Sequence, residues 1–411
     1  MRAEDMRKII LLAGLVAGGV ALSVTAYANN WLLYLPAILA GSGGGTEPPV
    51  EESSGKWLLF LPAILAGSQK GTTKPVAVTG ALNDTGIVTT AGSTGAEDAD
   101  HGRDSDSATN SDADGHAGFS FTKLAADGSE LDASAESWYC VQDNVTGLVW
   151  SPDQGGGLSW AGAGELVNNA NTAQLCGKTD WRLPEVGELL GIISYDADSY
   201  TTGKTVDTTY FGDTQAGAAS DTLVWYWTAT AVDDNNQWGV TFQPKYTLTN
   251  GTEVKSVSLS NTLSTDALNK HPVRLVSGTV KESNFTSLED GSTVQDNNTG
   301  LIWKRCLEGQ TFSSGSCTGT ETKKTWAEAL ALDDGTWRVP NLKELRSIVG
   351  KETYFPTPAT NLYVWSSSPY AVNTLNSWVV DFKSGLLWNS ISQNTTDPSV
   401  YVRLVRDAPT E

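Results

Sequence analysis

The chain has 411 residues, enough for two to three domains, and its hydrophobic content of 39% is ordinary for a protein with packed cores. Lys and Arg total 27 against 47 Asp and Glu, so the formal net charge is −20, which argues against a nucleic-acid partner. Only 3 His are present, and none has the spacing to another His or to a Cys that a zinc site requires.

The chain begins with a segment typical of a secretory signal peptide. Arg7 and Lys8 precede an apolar run, and Ala26 and Ala28 form the small-residue pattern of a cleavage site. We therefore predict a signal peptide over residues 1–28 and export to the periplasm, the outer surface or the extracellular medium. The alternative is an uncleaved membrane anchor.

Two copies of one apolar segment follow, from Trp31 to Ser42 and from Trp57 to Ser68. Each apolar run is about half the ~20 residues needed to cross a bilayer. Two interpretations stay open: the segments contact a membrane interface or a partner, or they pack against the globular part of the chain. We assign residues 29–80 to a linker that carries them.

The next stretch is acidic and rich in Gly and Ser. Asn110, Asp112 and Asp114 match the opening of a calcium-binding loop, in which alternate residues supply oxygen ligands. The closing glutamate of such a loop is replaced by Phe121. A weak calcium site and a solvated linker are both compatible with this stretch, and the sequence suggests no other cofactor.

Beyond this stretch the chain contains one pattern twice. Residues 141–150 (VQDNVTGLVW) return as 294–303 (VQDNNTGLIW). Each copy predicts a β-hairpin, because Asp and Asn side chains can bond the turn backbone and Gly accepts a positive φ. Later motifs recur in the same order: WRLP at 181 and WRVP at 337, QW at 237 and SW at 377, and VRLV at 273 and 402. The chain is therefore a tandem duplication, and each copy is expected to carry its own core.

Each copy contains signals for two helices. In the first copy Ser159 can cap a helix that runs to about residue 169, and Pro184 favours the first turn of a second helix. In the second copy the helix at Pro340 is expected to stop at Gly350. Short strands are predicted at 224–230, 237–243, 364–368 and 377–382. Helices packed against short antiparallel strands predict an α+β fold.

The four cysteines predict two local disulfides, Cys140–Cys176 in the first copy and Cys306–Cys317 in the second. Disulfides of this kind form in an oxidising compartment and agree with export.

The DNxTGLxW phrase, followed by WRLP and a helix, resembles the Lcl C-terminal domain family, named for the terminal domain of a bacterial collagen-like adhesin. Segments 82–86 (LNDTG) and 101–104 (HGRD) look similar to the lead-in of some members, which places the acidic stretch in the first unit. RLP before an acidic helix also resembles the formylglycine-generating enzymes. Their fold implies two tandem C-type-lectin-like units, 81–280 and 281–411, each with about two helices packed on short antiparallel strands.

Two groups of side chains are candidates for binding. Aromatic faces can stack on sugar rings, and the candidates are Trp225, Trp227 and Trp365, with Trp238, Trp378 and Trp388 similarly placed; the alternative is that they are core residues. The second group could attract an anionic glycan to the second unit or could be solvated loop charges: Lys304, Arg305, Lys323 and Lys324. Arg182 and Arg338 could bind anions, but we favour a role in bracing a carboxylate or a turn.

We expect a non-catalytic, exported bacterial surface or envelope protein that binds a glycan or a protein in adhesion. One alternative is an enzyme of the formylglycine-generating type, which would need a cysteine pair near the end of the chain; no cysteine follows Cys317. The other is a purely structural envelope protein.

Overall fold

The protein is described by a computed structural model over residues 82–92, 95–109, 113–196, 203–215, 223–243, 246–249, 252–255, 260–356, 362–393 and 400–408. The predicted signal peptide, both apolar segments of the linker, and Asn110 and Asp112 of the calcium motif lie outside these residues. Among the helices that are described, none is long and apolar enough to cross a membrane.

The first repeat and its lead-in contain short strands and three α-helices in the described part. The helices are α1 (Trp160–Thr172), α2 (Val186–Gly191) and α3 (Thr208–Phe211). The strands are β1 (Phe121–Leu124), β2 (Cys140–Asp143), β3 (Val149–Trp150), β4 (Gln154–Leu158), β5 (Trp181–Arg182), β6 (Tyr226–Asp233), β7 (Asn236–Val240), β8 (Tyr246–Thr249), β9 (Thr252–Lys255), β10 (Ser260–Ser264), β11 (His271–Val273) and β12 (Val276–Ser277).

The second repeat has fewer elements, two α-helices and nine strands in its described part. Its helices are α4 (Trp326–Leu330) and α5 (Leu342–Ser347). Its strands are β13 (Phe285–Ser287), β14 (Thr293–Asp296), β15 (Leu301–Lys304), β16 (Thr311–Ser313), β17 (Ser316–Thr318), β18 (Tyr363–Pro369), β19 (Asn376–Asp381), β20 (Leu387–Ser392) and β21 (Val405–Asp407). The α+β class is confirmed.

The two largest sheets of the first repeat have counterparts in the second. The first repeat has a sheet in the order β1-β2-β3-β12-β5, and the second has β13-β14-β15-β21, extended by a bridge between Arg338 and Val405. A second, three-stranded sheet is β10-β7-β6 in one repeat and β18-β19-β20 in the other. The duplication is therefore one of architecture as well as of sequence.

The repeated phrase forms the predicted hairpins. Val141 pairs with Trp150, and Val294 pairs with Trp303. In the first turn Asp143 Oδ1 accepts hydrogen bonds from the backbone N–H groups of residues 145 and 146 at 3.0 and 3.1 Å. Gly147 and Gly300 have φ of 79° and 78°, a conformation that other residues rarely adopt.

The second helix of each repeat begins later than the sequence indicates. Pro184 and Pro340 lie before the helix, and the residues that cap it are Glu185 and Asn341. Each proline carbonyl accepts a hydrogen bond from a strand of the three-stranded sheet, at 2.7 Å from the N–H of Ala229 and at 2.8 Å from that of residue 367. The prediction of Pro in the first helical turn was therefore wrong. The prolines lie just before the helix, where their carbonyls accept hydrogen bonds from the sheet.

Both repeats share one large core. The segment Gly71–Glu411 forms one compact unit. Its largest hydrophobic cluster contains side chains from both repeats, among them Leu189, Leu190 and Leu345. Each repeat also has a smaller cluster of its own, around Trp227 in the first and Trp365 in the second. The expectation of a separate core for each copy is thus met only by these smaller clusters.

Both predicted disulfides are confirmed. Cys140 on β2 is bonded to Cys176 after α1, and Cys306 is bonded to Cys317 on β17. The acidic lead-in is folded in its described part, where Asp84 and Asp98 are buried. It contacts the second repeat as well as the first, since His101 Nε2 lies 3.0 Å from Asp333 Oδ2.

Candidate functional site

A cavity of about 580 Å³ lies between the two repeats. Corresponding elements of both copies form its walls: α2 and α5, which contact each other, and the two DNxTG turns. Asp143 and Thr146 come from the first turn, and Asp296 and Thr299 come from the second. The most similar parts of the two copies therefore meet at one place.

In each repeat an arginine outside the helix forms two hydrogen bonds with a glutamate in the first turn of the helix. Arg182 donates to Glu188 through two nitrogens at 2.7 and 2.6 Å, and Arg338 donates to Glu344 at 2.7 and 2.8 Å. Burial alone would raise the pKa of Glu344, but its bonds to Arg338 outweigh burial and hold that pKa below its usual range. The bracing role that the sequence favoured for both arginines is confirmed.

The two helices differ at several positions that line the cavity, and at one of them a glycine corresponds to a lysine. Gly187 in α2 is exposed and has open space beside it, whereas its counterpart in α5 is the buried Lys343. Lys343 Nζ donates to the carbonyls of Asp84 and Gly191 at 2.6 and 2.7 Å. Burial lowers the pKa of Lys343 to about 7. This side chain ties α5 to the lead-in and to the first repeat.

The side chain of Arg346 lines the cavity. Among the described residues no carboxylate lies within ion-pair distance of it, and its buried Nε has no hydrogen-bond partner. A guanidinium in this state is suited to receive an oxygen of a ligand. The remaining charges of the lining are of both signs, including Glu185 and Glu188 on one side and Lys351 and Lys383 on the other.

A second feature, the acidic cluster, consists of Asp84, Asp98 and Asp104 of the lead-in. One carboxylate oxygen of each lies within 4.8 Å of the other two, and all three residues are buried. The cluster borders the cavity through Lys343, which bonds the Asp84 carbonyl. Burial, with mutual repulsion added, raises the pKa of Asp98 to about 8 and that of Asp104 to about 11.

The predicted aromatic platforms are mostly core residues. Trp227 and Trp365 are 0% exposed, so neither can stack on a sugar, and this interpretation of them was wrong. Their indole N–H groups donate to the carbonyls of Leu158 and Lys324, just before the first helix of each repeat, at 2.8 and 2.9 Å. Trp225 is half-buried against the same cluster as Trp227. Trp388, on β20, is 43% exposed.

The predicted basic group is only partly available to a ligand. The Arg305 guanidinium lies 4.0 Å over the Phe312 ring, and its Nε donates to the Tyr354 carbonyl at 3.1 Å. Arg305 is therefore engaged in contacts that stabilise the fold. Lys304 lies 5.3 Å over the Trp337 ring. Lys323 is exposed and Lys324 is half-buried.

The calcium motif is described only at Asp114, whose carboxylate accepts the Ser120 hydroxyl at 2.5 Å. Sequence reasoning missed Asp84, Asp98 and Asp104 as a group. Two of them stand in the LNDTG and HGRD segments that resembled the family lead-in, and that resemblance was the available signal.

A sequence profile of the Lcl C-terminal domain matches the chain twice, over residues 139–261 and 292–406. The chain belongs to the Lcl C-terminal domain family. The two matches coincide with the two structural repeats, so the cavity lies between two Lcl C-terminal domains. No curated protein and no solved structure gives a significant match to the chain.

Proposed function

We propose that this tandem Lcl C-terminal domain protein is a non-catalytic, exported surface module whose shared cavity binds a short segment of a glycan. The observation that carries the proposal is the cavity itself, which both copies of the family motif build together. Its size suits one or two sugar rings, and its mixture of apolar walls with a few polar groups is typical of small-ligand sites. A protein partner remains the alternative occupant.

Export is supported by the disulfides and by the signal-like start of the chain. In this proposal the segments that start at Trp31 and Trp57 bind a membrane interface or a partner. We retain the C-type-lectin-like relationship as part of the proposal, since helices and short antiparallel strands in both repeats support it.

An enzyme of the formylglycine-generating type is the alternative in another class. All four cysteines are paired in disulfides, so none is present as a thiol for such chemistry. This pairing supports the non-catalytic proposal. A purely structural protein, the third candidate, would bind no ligand in the cavity.

The test is a glycan array probed with the mature chain, followed by affinity measurements on the sugars that bind. Gly187→Trp fills the cavity from α2, where no atom lies within 4 Å of the added Cβ. The matched control is Gly164→Trp, which is exposed on α1, also has open space, and lies outside the cavity lining. We expect Gly187→Trp to weaken binding at least about tenfold and the control to bind like wild type. The proposal fails if no glycan binds or if both variants bind equally well.

A further inference from the structure

The acidic cluster brings together three carboxylates that the cavity does not use. Asp84, Asp98 and Asp104 are 4%, 1% and 3% exposed, and one oxygen of each lies within 4.8 Å of the others. Carboxylates this close and this dry repel one another unless protons or a cation neutralise them.

One carboxylate oxygen of Asp98 has no hydrogen-bond partner among the described residues. Its Oδ2 accepts hydrogen bonds from the Thr85 and Ser368 hydroxyls at 2.7 and 2.6 Å. Its Oδ1 is equally buried, yet no donor reaches it from the described part of the chain. Buried acceptors are nearly always satisfied, so this unpartnered oxygen, on a carboxylate that belongs to the cluster, points to a partner such as a cation.

The two cationic side chains next to the cluster already have other bonding partners. The neighbouring Arg338 is already bonded to Glu344, and Lys343 Nζ donates to two carbonyls. Over the described residues, neither Asp84 nor Asp98 has a Lys, Arg or His within ion-pair distance.

The carboxylate of Asp84 is fixed in place. Its Oδ1 accepts from the N–H of Thr85 at 2.9 Å and from Asn341 Nδ2 at 3.0 Å, and its Oδ2 accepts from the N–H of Arg103 at 2.5 Å. Ligands oriented in this way by outer hydrogen bonds are characteristic of cation sites.

We propose that Asp84, Asp98 and Asp104 bind one calcium ion. Three oxygens within 4.8 Å of one another leave a central point at most about 2.8 Å from each, which is compatible with calcium–oxygen bonds of about 2.3–2.6 Å. The donor set is oxygen only, as calcium requires. This site is separate from the Asn110, Asp112 and Asp114 motif.

The proposed ion joins the lead-in to the second repeat. All three carboxylates belong to the lead-in, while Asn341 and Ser368, which bond two of them, belong to the second repeat. Ser368 Oγ also accepts from the N–H of Leu342, the first residue of α5, at 2.9 Å. Calcium therefore stabilises the contact that positions one wall of the cavity.

The test uses the mature chain, stripped with a chelator and then titrated with calcium chloride. Native mass spectrometry counts the bound ions, calorimetric titration gives the affinity, and scanning calorimetry gives the melting temperature with and without calcium. We expect one ion per chain and a rise of several degrees in melting temperature. Asp98→Asn should lower calcium affinity at least about tenfold, whereas Asp100→Asn, in the same short helix but outside the cluster, should bind like wild type.

Wild-type chain that binds no calcium and shows no shift in melting temperature would overturn the proposal, because protons then neutralise the cluster. Loss of binding in Asp114→Asn but not in Asp98→Asn would move the site to the sequence motif. If Asp98→Asn does not fold, Asp104→Asn takes its place, and normal calcium binding by that variant would also overturn the assignment.

Discussion

At the scale of single residues, the two Arg–Glu pairs have the same geometry but differ in burial, so they should contribute differently to stability. Arg338 and Glu344 side chains are 8% and 11% exposed, whereas Arg182 and Glu188 are 23% and 16% exposed. Both pairs have the two-bond geometry that only a planar guanidinium provides.

We predict that Arg338→Lys destabilises the protein more than the matched Arg182→Lys. Lysine cannot donate two parallel hydrogen bonds to a carboxylate. Glu344 is less exposed to solvent than Glu188, so it loses more stabilisation. Removing a partner of a buried pair reduces the free energy of unfolding by about 3–5 kcal/mol, and we expect Arg338→Ala to approach that range. Urea unfolding of the three variants measures the loss. An equal loss at both positions would show that burial is not what distinguishes the pairs.

A second residue-scale prediction concerns pH. Burial lowers the pKa of His271, whose ring lies 4.7 Å from the ring of Trp227. The unfolded chain, with a His pKa near 6.5, therefore binds this proton more readily than the folded chain, and stability falls as pH drops through about 6.5. His271→Gln should flatten the dependence of melting temperature on pH between about 7 and 5, while Lys270→Gln, an exposed neighbour, should leave it unchanged. A slope unaltered in His271→Gln would refute the assignment.

At the scale of elements, the sequence predicted local structure best where one short motif determines it. The DNxTG turns satisfy their own backbone, and Ser159 caps α1 by accepting the N–H of Gly162 at 3.2 Å. The start of α2 and α5 was misplaced because Pro184 and Pro340 are compatible with a first helical turn. The spacing of Glu185 to Glu188, a capping box, was the better signal.

Contacts between residues far apart in the chain could not be predicted from the sequence. Tyr226 and Trp227, the first two residues of β6, do point to opposite faces as predicted, but each is buried in a different hydrophobic cluster, so neither forms an exposed platform. The acidic cluster is hydrogen-bonded to Asn341 and Ser368, more than two hundred residues away along the chain. No local sequence pattern predicts contacts between residues so far apart.

The two disulfides allow an element-scale prediction. The Cys140–Cys176 bridge closes a loop of 36 residues around the hairpin and α1, and the Cys306–Cys317 bridge closes one of 11. Longer loops gain more from a crosslink, so we expect paired Ala substitutions to cost about 4 kcal/mol for the first and about 3 kcal/mol for the second. Cys140 and Cys176 are also buried, which adds a packing loss. Unfolding in urea would contradict this if the second pair proved the more destabilising.

At the scale of the whole molecule, duplication has produced one structure with a shared centre. The main core, the contact between α2 and α5, and the reach of Lys343 to Gly191 all cross from one repeat to the other. Each Lcl C-terminal domain supplies one wall of the cavity. The proposal of one shared ligand site rests on this arrangement.

The number of ligands bound per chain tests that proposal most directly. Calorimetric titration of the mature chain with a glycan found on the array should give one site per chain. Gly187→Trp in the first repeat and Ser347→Trp in the second should each weaken all of the binding at least about tenfold, because both residues line the same cavity. Two sites per chain, or a variant that removes only half of the binding, would mean that each repeat binds its own ligand and would contradict the account.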